Sequence, residues 1–214
     1  MKKKYELTDE TIEFAGHVLH RIKALVSFAD VEEGDLGGWI EKESNLSHLN
    51  NAWVYGGARV FGDAVVSGGA RVFGDAVVSD GARVYGNAEV YGGARVYGNA
   101  EVSDDAVVYG NAVVSDGAVV YGNAVVSSMD DYITFKNFWS SGRYFTWTRS
   151  NNKWKVGCFY GTGDELISKA YEDSQKSGRE YERVVKYVES ILHDEPIKDE
   201  QKNEESSSVA ASKN

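Results

Sequence analysis

Of its 214 residues, the chain has one proline and one cysteine. With Cys158 alone no intrachain disulfide framework can form, and a reducing compartment is the simpler expectation. No apolar stretch approaches the roughly 20 residues that a membrane helix needs. The basic start Met1-Lys2-Lys3-Lys4 runs into "YELTDETIEF" rather than an apolar core, so a signal peptide is not read there. Positive charge is scarce as well: the formal net charge of −10 argues against nucleic acid or an anionic membrane as partner. A soluble cytoplasmic protein is expected. Histidine is limited to His17, His20, His48 and His193.

What the chain does have is glycine, 23 of them, and a period. Alanine recurs every six residues from Ala52 to Ala124, and valine follows two places later from Val54 to Val126, without a break over thirteen hexads. Residues two apart on a strand share a face, so alanine and valine point inward and the residue between them outward. After each valine and one more residue comes a pair such as Gly62-Asp63, Gly86-Asn87 or Asp116-Gly117, residue types that accept left-handed backbone angles. Each hexad is therefore a short strand plus a corner. Three hexads per coil make a triangular prism, the left-handed parallel β-helix of hexapeptide-repeat proteins, here of about four coils. Its open edges need caps.

Sorted by an 18-residue coil, the position after valine reads Tyr55, Phe73, Tyr91, Tyr109 and Ser127 on one face. The other two faces alternate aromatic and serine. The unbroken aromatic ladder, with Trp53 beside its first rung, is either cross-strand stacking or a contact face for another protein or another copy. Outward valines at 107, 113, 119 and 125 ask for a cover, from the C-terminal region or a subunit contact. Arg59, Arg71, Arg83 and Arg95 are scattered over all three faces, which suits solubility rather than a nucleic-acid track.

Four regions are expected: an N-terminal β-hairpin cap over 1–50, the β-helix over 51–128, a small β3α2 domain over 129–193, and a disordered tail over 194–214. The cap turns at Ala15-Gly16-His17. In the C-terminal domain three strands, "DYITFKNF", "RYFTWTRS" and "KWKVGCFYG", precede two helices opened by capping boxes at Thr162 with Glu165 and Ser177 with Glu180. Tyr181, Val184, Val185, Val188, Ile191 and Leu192 form the apolar stripe of the second helix. Cys158, alternating with Trp154 and Val156, reads as a buried structural thiol.

The stretch "RIKALVSFADVEEGDLGGWIEKESNLS", running into the A-x-V-x-G repeats, resembles a group of bacterial and phage or prophage hexapeptide-repeat proteins, often labelled transferases by analogy of fold. The resemblance covers residues 18 to about 128. It implies a left-handed β-helix and, for an enzyme of the type, a trimer with an acyl donor held between prisms and a histidine base. No histidine lies in the repeat. His48, at a position equivalent to valine, reads as part of the end cap, and no metal or other cofactor is expected.

Trp139, Arg143 and Tyr144, in "FWSSGRYFTWTRSNNKWK", mix aromatic and basic residues that can stack on bases and hold phosphates. In a hairpin sheet, however, such aromatics pack as core. The loop at 140–143 is the best functional position on this domain. The expected function is a non-enzymatic scaffold for a protein partner, and the phage resemblance implies a host protein such as a defence factor that is bound or inhibited. The alternatives are an acyltransferase using His48, Glu89 or Glu101, and a self-assembling structural protein, trimeric, dimeric or polymerised end to end.

Overall fold

The structure, a computed structural model, describes residues 3–139 and 141–193; the expected tail at 194–214 lies outside the described residues. Strands β1 (Tyr5–Phe14) and β2 (His17–Ala24) form an antiparallel hairpin, turned by Ala15 and Gly16, both at positive φ. Strand β3 (Leu36–Ile40) pairs antiparallel with β2 and parallel with the first repeat of its face, joining the hairpin to the stack. Thirteen two-residue strands, β4–β16, follow from Trp53–Val54 to Val125–Val126 at six-residue steps. The first ten of these pair in parallel with the strand 18 residues on, for example Arg71 with Glu89 and Val72 with Val90. Three hexads close one coil.

All thirteen repeat alanines and all thirteen valines are completely buried. Those small and branched side chains fill the prism, so burial rather than local propensity holds such short strands. The corners turn at left-handed residues, mostly glycine but also Asp80, Asp104 and Asp116. At Gly86 (φ +72°) a Cβ would lie 2.6 Å from the nitrogen of Asp104 one coil on, so both backbone angle and stacking distance demand glycine.

The solenoid is two rungs longer than the regular hexads imply, which completes a fifth coil. Trp39 and Ile40 in β3 pair with Arg59 and Val60, and Leu46 bridges Val66, so each face carries five rungs. Leu46, 1% exposed, takes the place of a repeat valine. Two additional residues between Leu46 and Val54 move His48 out of the position assigned to it by the six-residue count. His48 instead stacks on Tyr5, with ring centroids 4.3 Å apart, and its Nδ1 accepts from the backbone N–H of Lys4.

The coil-to-coil bonds of the ladder share one sense: each N–H donates to the next coil's carbonyl, as Arg71 does to Ala88 and Phe73 to Val90. The N-terminal end therefore presents carbonyls and the C-terminal end N–H groups. The caps have matching chemistry. At the first coil the Lys4 ammonium donates to the Ala52 carbonyl at 2.7 Å, the Tyr5 hydroxyl to Leu46 at 2.8 Å, and the Asn45 amide to Ala64 at 2.9 Å. At the last coil acceptors take over: Thr146 Oγ1 for Val119 N–H at 2.9 Å, Ser150 Oγ for Val125 at 2.7 Å, and Asp131 Oδ2 for Ser127 at 2.7 Å.

The C-terminal unit has four strands, not three: β17 (Tyr132–Lys136), β18 (Tyr144–Thr148), β19 (Lys153–Val156) and β20 (Phe159–Gly161), antiparallel in that order. Gly157, at φ +56°, breaks the third expected strand into a tight hairpin, pairing Val156 with Phe159. Cys158 thus sits in the turn and is exposed, contrary to the expected buried thiol. Helices α1 (Gly163–Asp173) and α2 (Gln175–His193) complete the unit. The Thr162–Glu165 capping box is present, whereas α2 begins earlier than expected, with the Ser174 hydroxyl accepting from Ser177 N–H in place of a box at Ser177. Val185 and Val188 of its stripe are buried against Phe145, Trp147 and Trp154, while Ile191 is 38% exposed. No helix among the described residues is long and apolar enough to cross a membrane.

Candidate functional sites

The sequence-derived residues fall into four surroundings. Trp53 is 1% exposed: the N-terminal cap folds over its outward position, placing Tyr5 and Phe28 edge-on to its ring at 6.1 and 5.4 Å, so it presents no surface. Trp139 packs beside the C-terminal core, 6.0 Å from Phe145, with its Nε1 buried and without a partner among the described residues. The remaining residues form a ladder and one wall of a cleft.

Tyr55, Phe73, Tyr91 and Tyr109 lie on successive rungs because their valines pair 18 residues apart. Phe73 and Tyr91 stack at 4.6 Å with 10° between planes, and Tyr91 and Tyr109 at 5.3 Å with 16°. Tyr55 meets Phe73 edge-on at 6.5 Å, and the Arg71 guanidinium lies over both rings. The Tyr55 hydroxyl donates to Asp30 Oδ1 at 2.8 Å; burial and that carboxylate push its pKa up to about 12. Tyr55 is thus tied to the cap. Phe73, Tyr91 and Tyr109 are half-buried, and among the described residues their ring contacts are with neighbouring rungs and Arg71. The hairpin covers the start of a second face, with Phe14 on Phe61 and Arg59, and the C-terminal sheet covers the end of the third.

Arg143 and Tyr144 meet the solenoid in a cleft of about 460 Å³ between that third face and the turn joining β19 to β20. The Tyr144 ring lies against Gly117, where a Cβ would come within 2.2 Å. Lys155 Nζ sits 4.0 Å from the Tyr121 ring centroid. From the solenoid come Tyr85, Asn99 and Glu101. The Tyr85 hydroxyl donates to Glu101 Oε2 at 3.0 Å, and burial raises its pKa above the ordinary tyrosine value. Glu101 Oε1 is 3.8 Å from Arg83. Tyr85 and Glu101 share a face one coil apart and were visible by sorting hexads. Lys155 was not, because the sheet's docking decides which of its residues face the prism.

Of the outward valines, Val107, Val113 and Val119 are half-buried and Val125 is exposed; the C-terminal unit reaches their backbone, where the Tyr132 hydroxyl donates to the Val113 carbonyl and the Val119 N–H to Thr146. Of the acid–base groups considered, Glu89 lies 3.6 Å from Arg71, and His48 belongs to the cap. His17 shares a hydrogen bond with Glu41 at 3.0 Å, and His20 lies 3.2 Å from the Thr8 carbonyl. None of these lines the cleft; the His193 side chain lies outside the described residues.

The repeat matches the family model described as YdcK β-solenoid repeat, over residues 82–98 and 94–110. A protein of Escherichia coli (strain K12) named "Uncharacterized acetyltransferase YdcK" is 36% identical over 72 residues, covering 29% of this chain and 22% of that protein. The chain thus matches about a fifth of that relative's length. Stacked hexads, five-rung parallel faces and this repeat match together identify a repeat β-solenoid protein.

Proposed function

We propose that this chain is a non-enzymatic β-solenoid scaffold that binds a protein through the ladder of Phe73, Tyr91 and Tyr109. The observation that carries the reading is the contrast between faces: hairpin and C-terminal sheet each lie on part of another face, while these three rings keep to their own ladder and Arg71. A rigid row of aromatic edges offers a partner contact area at little cost in side-chain entropy. The sequence resemblance to phage and prophage proteins favours a host protein, such as a defence factor, as that partner, with inhibition as the consequence. End-to-end polymers fit less well, since groups on both terminal coils already bond to cap residues. Affinity purification from the native host tests the reading: a specific protein is retained by wild type and lost by a Tyr91→Ala/Tyr109→Ala variant with an unchanged melting curve. Equal retention by both, or a homodimer in light scattering that the same substitutions dissolve, overturns it.

A second reading, an acyltransferase, draws on the relative's printed name and on Glu101 beside the cleft. Release of coenzyme A from acetyl-coenzyme A in the presence of amine and hydroxyl acceptors, abolished by Glu101→Gln, would support it over the scaffold.

A further inference from the structure

The cleft between solenoid and C-terminal sheet is physically separate from the ladder and calls for a different occupant. Its volume of about 460 Å³ lies in the size range of small-molecule sites. Among the described residues neither Arg143 nor Lys155 has a carboxylate partner, in a chain of net charge −10 where Arg71, Arg83, Arg183 and Lys186 are all paired with glutamate. Two cations without carboxylate partners in one concavity favour an anion, and a pair suits a dianion better than a single carboxylate. The neighbouring walls are the rings of Tyr85 and Tyr144, flat surfaces with polar tips. Asn99 offers amide donors and an acceptor, and Glu101, already accepting from Tyr85, has lone pairs left for a hydroxyl or exocyclic amine.

From this combination we propose that the cleft binds a small phosphate ester of a hydroxylated sugar bearing an aromatic base, that is, a 5′-mononucleotide. Its phosphate lies at Arg143 and Lys155, its ring against the tyrosines, and its sugar hydroxyls or base amine at Glu101 and Asn99. The site does not depend on the ladder, and its failure leaves the protein-binding reading standing.

Cys158 on the rim is the chain's single thiol and is exposed, which makes it a built-in reporter. Maleimide labelling of the full chain is followed in the presence of AMP, GMP, CMP or UMP, with inorganic phosphate and adenosine as separate arms. At least one mononucleotide slows labelling several-fold in a saturable manner, phosphate and adenosine alone do so at least tenfold less effectively, and calorimetry gives the same order. Arg143→Gln and Lys155→Gln, surface changes, each weaken the nucleotide at least tenfold; Glu101→Gln weakens it less and changes the preference among bases. No protection at millimolar nucleotide, equal protection by inorganic phosphate, or unaltered affinity in the Arg143→Gln/Lys155→Gln double variant overturns the proposal.

Discussion

Lys4 is 4% exposed, and its ammonium bonds to the carbonyls of Ala52 at 2.7 Å and Asn50 at 3.2 Å at the open end of the first coil. Burial lowers its pKa from 10.5 to about 8. Between those values the unfolded chain binds more protons than the folded one, so stability rises with pH; below about pH 8 desolvation of the charged group weighs fully against the fold. For a folded value of about 8 and an unfolded value of 10.5, the rise from pH 7 to 9.5 is about 2 kcal/mol. Tyr5 and Tyr55 act in the opposite sense. Their pKa values are raised, by burial first and by Glu43 and Asp30 respectively, so their contribution is complete below pH 10 and lost above it. Measurement therefore stops at pH 9.5. Urea unfolding, followed by the fluorescence of the chain's tryptophans, yields the wild-type slope. In Lys4→Met the slope disappears, while stability at pH 7 changes little, because two carbonyls lose a donor, at about 1–3 kcal/mol each, as the desolvation penalty is relieved. An identical pH slope in wild type and Lys4→Met would refute the reasoning.

Three further outcomes follow from the corners, the C-terminal cap and the core. Gly86→Ala loses about 2 kcal/mol or more, since it combines φ +72° with a Cβ 2.6 Å from the Asp104 nitrogen; Asp80→Gly, at φ +57°, changes stability by less than about 0.5 kcal/mol in the same urea titration. Thr146→Val leaves the Val119 N–H without its acceptor and loses about 1–2 kcal/mol, Thr146→Ser retains most of that, and hydrogen exchange at the Val119 amide accelerates only in the valine variant. Ala88→Leu, at a completely buried position packed on every side, lowers stability by about 1–3 kcal/mol and leaves the ladder less ordered by near-ultraviolet circular dichroism.

The solenoid was legible because its constraint is local and repeated. Inward alanine and valine, left-handed corners and an 18-residue coil together determine which residues stack, so the Phe73–Tyr91–Tyr109 ladder could be read without coordinates. The first coil was not, because "ESNLSHLNNA" departs from the six-residue count by two and puts Leu46 rather than His48 in the prism. Trp53 is a separate case. Its place between Ala52 and Val54 points it outward, but only the path of Tyr5 and Phe28 over that corner buries it.

Sequence alone thus determined the prism, its faces and its need for end caps, since these follow from residue periods and backbone angles within a few neighbouring residues. Tertiary structure decided what the terminal segments do: Lys4, Tyr5 and Asn45 supply donors to a carbonyl end, Thr146 and Ser150 supply acceptors to an N–H end, and Arg143 and Lys155 come to face Glu101. Those pairings join residues up to 54 positions apart. They depend on how two caps dock against a rigid rod, which no local pattern encodes.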